Sequence, residues 1–401
     1  MSAGSAPPVL KNPARHPAFR GSLLVVGILL IAANLRAPIT GVGPLIGTIR
    51  GSTGISSTVA GVLTALPVFA FAAASPVAPT IAARLGIERT LFAALLVLGS
   101  GTLIRSLPTT GTLFAGTLLL GVAIAMANVL LPSLIKRDFP DRVGVMTSAY
   151  VAMMNIAAAV SSGIAVPVAD AAPGGWRTAI GCWTGLLLIA AVVWTPTLKA
   201  RTLPASGTTA AAMPLKSPLA WSVTLFMGLQ SFAFYAMISW LPTILHSHGV
   251  GKGAAGWELF LFQFIALASN FSTPLLIRRL PDQRWLAAGW SLVAVTGFVG
   301  LLALPDLSVL WVSLAGLAGG GSLVLALSFF SLRASDAHQA AALSGMAQAV
   351  GYLLAGFGPV LFGGLHDVSG HWEVPLALVI GLSCVQTVMG YRAGRNGTLP
   401  S

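Results

Sequence analysis

Charge is the scarcest property of this chain. Of its 401 residues only 8% are Asp, Glu, Lys or Arg, whereas 56% are hydrophobic. A water-soluble protein carries about three times that share of charge, so a soluble globular fold is excluded. Cysteine is almost missing: Cys182 and Cys384 stand alone in separate halves of the chain, which excludes a disulfide framework and a thiolate metal site. The ten acidic residues all fall in loops or near the ends of apolar stretches. Proton-driven membrane proteins often use a carboxylate deep in the membrane. Here only Glu258, about one turn inside its stretch, is placed to act in coupling, and a structural helix-end role is the favoured reading of it. No loop is long enough for a cytoplasmic output domain, and no buried acid–base or metal-ligand constellation is visible. A sensor and a membrane enzyme therefore both lack support, and no cofactor is expected.

What the chain has instead is apolar length. Stretches of roughly 20 residues, enough to cross ~30 Å of hydrocarbon, follow one another almost without interruption. Twelve are expected, near 21–47, 55–83, 87–106, 110–136, 142–170, 175–195, 218–246, 254–280, 284–304, 307–332, 337–366 and 372–392. In lipid the backbone must satisfy its own hydrogen bonds, so each is a helix. The fold class is all-α integral membrane.

The net charge of +12 is explained by where the cations lie. With the N-terminus inside, 17 Lys and Arg fall on the cytoplasmic face. Four, Arg50, Arg105, Arg177 and Lys252, fall on the other, and Arg36 lies within the first stretch. This asymmetry follows the positive-inside rule and puts both termini in the cytoplasm. The bilayer is the partner the charge implies, with no nucleic acid. The membrane is expected to be of the bacterial cytoplasmic type and the protein a monomer. Residues 1–20 read as a cytoplasmic tail, 21–195 as one six-helix bundle and 196–217 as a polar cytoplasmic linker. A second bundle follows over 218–392, with a short cytoplasmic tail over 393–401.

The two halves repeat each other weakly but in order. "PTIAARLGIERTL" (79–91) corresponds to "PLLIRRLPDQRWL" (274–286), and "VADAAPGGWRTAIG" (168–181) to "LHDVSGHWEVPLALVIG" (365–381). Pro44 and Pro242 occupy like places in stretches 1 and 7. Two duplicated six-helix bundles about a midplane site form a known transporter plan. The blocks "NLRAPITGVGPL" (34–45), "NVLLPSLIKRDFPDRVGVMTSAY" (128–150), "GLQSFAFYAMISWLPTIL" (228–245) and "GMAQAVGYLLAGFGPVLFGGLHDVSGHW" (345–372) resemble the cyanate/2-nitroimidazole transporter (CynX/NimT) family of the major facilitator superfamily. The resemblance implies two pseudo-symmetric bundles and alternating access. It implies cyanate, 2-nitroimidazole or a related compound as solute, with no direction of movement. One departure is Ala83, which stands where the superfamily's loop after the second helix carries an Asp.

Arg36 is the main candidate for chemistry. An ionisable residue within the membrane is functional by default, and no acidic residue shares its depth. Thr40 lies four residues on along the same face, while Asn34 points away and reads as helix–helix glue. Pseudo-symmetry about Pro44 and Pro242 sets Phe234 opposite Arg36, and Gln230 is one turn from Phe234. Gln263, Leu267 and Asn270 form one stripe; Gln348 and Tyr352 share another face. Asn128 and Tyr150 lie slightly to the cytoplasmic side. The candidate substrate-binding set is thus Arg36, Thr40, Asn128, Tyr150, Gln230, Phe234, Gln263, Gln348 and Tyr352, with Glu258 as the coupling candidate and protons as the candidate ion. Each amide has a packing alternative. One cation, several amides and many rings describe a chamber for a small planar polar or anionic molecule. The alternative is efflux of bulkier apolar drugs or toxic metabolites. The glycines of "GLAGGGS" (316–322) read as close helix packing, and His246, His248, His366 and His371 as loop residues without metal-ligand spacing.

Overall fold

A computed structural model describes residues 18–199, 213–335 and 337–399. Most of the expected N-terminal tail and most of the linker lie outside the described residues, while residues 18–20 already belong to the first helix, Ala18–Thr40. Within them twelve helices are long and apolar enough to cross a membrane. Spans 1 to 6 are Ser22–Thr53, Ser57–Ala74, Ile87–Arg105, Thr110–Asp138, Val145–Ala171 and Trp176–Leu198. Spans 7 to 12 are Pro218–Ser247, Lys252–Arg279, Arg284–Ala303, Pro305–Leu332, Ala342–Ser369 and Glu373–Ala393. Side-chain oxygens start several of them: Ser56, Thr109 and Ser217 accept from the backbone N–H of Val59, Thr112 and Ala220, satisfying donors that a helix start leaves free.

The spans form two groups. Spans 1 to 6 pack chiefly with one another, as do spans 7 to 12. Span 2 with span 11 and span 5 with span 8 make the main contacts between the groups, and the second half of span 1 meets span 7. The glycines read as packing devices behave as such: a Cβ on Gly316 would lie 2.2 Å from the Phe262 carbonyl oxygen, and one on Gly320 would lie 2.4 Å from that of Ala266.

The ends bearing the termini are tied twice in the same manner. In the first bundle Arg137, at the foot of span 4, bonds Glu88 at the start of span 3 (2.8 Å), and the Trp194 indole of span 6 donates to the Glu88 carbonyl (3.0 Å). In the second, Arg333 follows span 10. It donates to Gln283 before span 9 and to the Ala393 (2.7 Å) and Gly394 (3.1 Å) carbonyls closing span 12. Burial holds the Arg333 guanidinium below its ordinary pKa. Spans 3, 4 and 6 thus correspond to spans 9, 10 and 12, a repeat carried by geometry more clearly than by residue identity.

At the opposite end the two bundles meet. Asp367 of span 11 accepts from the Ser57 (3.0 Å) and Thr58 (2.7 Å) backbone N–H groups and from the Thr58 hydroxyl (2.7 Å). It therefore caps span 2 from across the interface, placing a carboxylate on the positive end of a helix. Gly43, Gly61 and Gly363 admit the close approach. A Cβ on each would fall 2.0 Å from the Ile238 oxygen, 2.3 Å from the Pro359 oxygen and 2.2 Å from the Ser57 oxygen.

Candidate functional site

Span 1 breaks in its second half. The helix Ala18–Thr40 contains Pro38, whose ring cannot donate an N–H, and it ends before Gly41; a new helix begins at Ile46. The carbonyls this exposes are all met. Arg36 oxygen accepts from the Thr40 hydroxyl (3.2 Å), and Ala37 from the Ser161 hydroxyl (2.6 Å). Pro38 accepts from Arg105 (2.7 Å), Ile39 from the Val42 N–H (3.3 Å), and Thr40 from the Ser162 hydroxyl (3.3 Å). The break is therefore stable within a membrane, where an orphan carbonyl is costly.

Arg36 sits in the last turn before that break, half-buried, where span 1 faces span 7. Its Nη1 donates to the Tyr235 hydroxyl at 3.4 Å, a long bond. Its guanidinium carbon lies 5.6 Å from the Phe234 ring centre and 5.9 Å from that of Tyr235. Cation–π contacts of this kind contribute about 0.5–2 kcal/mol. Among the described residues no carboxylate is within ion-pair distance of Arg36. Tyr352 completes the group: it lies within electrostatic reach of Arg36, Tyr235 and Tyr150, and its ring meets Phe71 edge-on at 6.2 Å. Phe234 stacks on Phe262 behind it, at 6.1 Å.

The structure therefore gathers Arg36, Phe234, Tyr352 and Tyr150 from the expected set, and adds Tyr235 and Phe71. Tyr235 was legible as the last residue of "FAFY", one position from the residue that pseudo-symmetry selected. Phe71 carried no signal, because its relation to Tyr352 depends on how spans 2 and 11 cross.

Other expected residues stand elsewhere. Thr40 is fully buried, and its hydroxyl is spent on the Arg36 and Ala158 carbonyls. Gln263 reaches across the bundle interface to the Ser162 hydroxyl (2.7 Å) and the Ala158 carbonyl (3.3 Å). Asn270, with its amide oriented by its neighbours, accepts from Asn155 of span 5 at 3.1 Å. The stripe of span 8 thus faces span 5 and ties the bundles, the packing role open to any amide. Gln230 is buried and bonds Ser231, and Gln348 bonds Ser344. Asn128 is half-buried on span 4. Glu258 lies inside the second bundle, where one carboxylate oxygen accepts from Ser308 (3.1 Å) and the other is buried without a hydrogen-bond partner. Arg105, expected among the charges of the outer face, is 1% exposed. It is a core residue because its guanidinium turns inward to the carbonyls of broken helices.

Twelve spans in two repeated bundles, meeting around a central cation and rings, define a membrane transporter rather than an enzyme. Residues 24–359 match the Major Facilitator Superfamily, and the chain belongs to it. Its relatives place it in the CynX/NimT-like part of that superfamily. The chain is 45% identical to the 2-nitroimidazole transporter of Escherichia coli (strain K12) over 378 residues, covering 93% of this chain and 96% of the relative. It is 28% identical to the cyanate transport protein CynX of the same organism, covering 90% and 96%. In fold it matches a bacterial homologue of the human lysosomal transporter Spinster in an inward-facing, occupied conformation. The TM-score is 0.81 at 14% identity, over 95% of this chain and 98% of that one.

Proposed function

We propose that this protein is a secondary transporter moving a small planar polar or anionic solute, of nitroimidazole or cyanate type, across the cytoplasmic membrane. The two bundles, 21–195 and 218–392, rock about the midplane site by alternating access, with both termini in the cytoplasm. The observation that carries the reading is Arg36: a half-buried guanidinium at the bundle interface, held by one long hydrogen bond and two ring faces, with no ion-pair carboxylate among the described residues. Its fork of donors suits a nitro group, a carboxylate or a linear anion. The rings of Phe234, Tyr235 and Tyr352 suit a flat solute stacked beside it. The 2-nitroimidazole relative handles a solute of that shape. Glu258 is the candidate for proton coupling, tested by solute-driven proton flux in Glu258→Gln vesicles.

The decisive test is thermal stabilisation of the purified protein by 2-nitroimidazole, cyanate, small carboxylates and neutral flat rings, in wild type and Arg36→Ala. A compound at a hundred times its dissociation constant adds about 2.7 kcal/mol to the folded state. Stabilisation of wild type alone supports Arg36 as the orienting charge. Equal stabilisation of both makes Arg36 structural and favours efflux of bulkier apolar compounds.

A further inference from the structure

Arg105 closes span 3 at the end where the bundles meet. Its Nη1 donates to the Pro38 carbonyl at 2.7 Å and its Nη2 to the Ile180 carbonyl at 3.0 Å, while its Nε has no partner. Both acceptors lie in the last turn of an interrupted helix. Pro38 precedes the break of span 1, and the Val42 N–H that would reach it in a continuous helix turns to Ile39 instead. Ile180 is the penultimate residue of the short helix Trp176–Gly181, which is interrupted for one residue, Cys182, with its backbone still in the helical region, before span 6 resumes at Trp183. Helix C-termini carry partial negative charge and unmet carbonyls. Two of them supply the countercharge that a buried guanidinium needs, and no carboxylate forms an ion pair with it among the described residues. The small cavity it borders is lined mostly by apolar side chains, among them Ile39, Val42, Leu113 and Leu120, with Thr64 and Thr117 as its polar members.

The position of the break gives this contact consequence. Before it span 1 carries Arg36. After it the chain carries Gly43, against Ile238 of the other bundle, and Ile46, buried in the packing between bundles. We propose that Arg105 is a positioning residue for transport: by pinning the break of span 1 to that of span 6, it makes the Arg36-bearing and gate-forming parts of span 1 move as one body. Without the pin the break becomes a loose hinge, and the gate segment fluctuates independently of the rest of its bundle. The second bundle has no arginine at the corresponding end of span 9, which closes at Ala303, so the device is one-sided. The inference does not require Arg36 to touch the solute.

The test compares cysteine labelling at two fully buried interface positions, Ile46→Cys on span 1 and Ala60→Cys on span 2, with Cys182 and Cys384 replaced by serine. In Arg105→Gln, labelling at Ile46→Cys rises at least fivefold while that at Ala60→Cys stays within twofold of its parent. Arg105→Lys, able to reach one carbonyl but not fork to both, falls between. In vesicles, turnover of 2-nitroimidazole by Arg105→Gln drops at least tenfold at unchanged KM. Equal rises at both positions, meaning a general loosening, overturn the proposal, as does no rise at either. If Arg105→Gln does not fold, Arg105→Lys is read by the same criterion. In the wild type, amide exchange over 39–46 must stay as slow as over span 2 with and without 2-nitroimidazole; selective fast exchange there also overturns it. Failure of wild type to move 2-nitroimidazole faults the solute assignment above and leaves the labelling comparison to decide this one.

Discussion

Gly61→Ala tests the closed end of the molecule most directly. Gly61 lies on span 2, and a Cβ built on it would stand 2.3 Å from the Pro359 carbonyl oxygen and 2.8 Å from the carbonyl carbon, both backbone atoms of span 11. Nothing flexible can yield, so one helix must move. Overpacking of this kind costs about 1–3 kcal/mol. The intrinsic preference of a helix for alanine over glycine acts in both conformations and cancels between them. The clash does not cancel, because it exists only while spans 2 and 11 are packed at this end. Gly61→Ala therefore shifts the balance toward the conformation parted here by roughly five- to 150-fold, since each ~1.4 kcal/mol is a factor of ten. Spin labels at Val59 and Val368, exposed at the facing ends of spans 2 and 11, would show the longer distance gaining population. The control is Gly121→Ala, whose Cβ would meet Pro67 at 2.7 Å inside the first bundle. That variant should lose melting temperature without changing the distance. If Gly61→Ala behaves the same way, with melting lowered and the distance distribution unmoved, the interface is not a separable gate and the reasoning fails.

The other predictions concern neighbouring contacts. Asp367→Asn removes the charge from the cap on span 2 and should move the same spin-label distance in the same direction by about 1 kcal/mol; an unchanged distribution refutes the cap as a latch. Gln263→Leu should shift that equilibrium while leaving 2-nitroimidazole affinity within about threefold, because its amide holds span 5 rather than the chamber; a large loss of affinity measured by thermal shift would return it to the binding set. Tyr235→Phe keeps the ring beside Arg36 and removes only a long hydrogen bond, so solute affinity should fall by less than about tenfold, worth under ~1.4 kcal/mol. Arg333→Met strips donors from Gln283 and the two carbonyls closing span 12, and should cost about 1–3 kcal/mol of stability, read in a detergent melt with transport per folded molecule unchanged.

Much of this architecture was legible in the residue order. Apolar length and scarce charge define twelve helices, because a bilayer leaves the backbone few other choices, and the bias of Lys and Arg between loops carries the expectation of their direction. Arg36 stood out for the same reason, a cation where hydrocarbon penalises one, and pseudo-symmetry brought Phe234 to face it. Composition could not say which polar residues look inward to the chamber and which join helices. Thr40 and Gln263 have the residue types and spacing of site residues, but the crossing of spans 1, 5 and 8 turns them to backbone carbonyls. Arg105 shows the limit most clearly. By position it is one of a few outer charges, and only the breaks in spans 1 and 6, far from it in sequence, draw its guanidinium into the core. A local pattern reports the cost of placing a group in lipid. The partner that offsets the cost is chosen by tertiary packing.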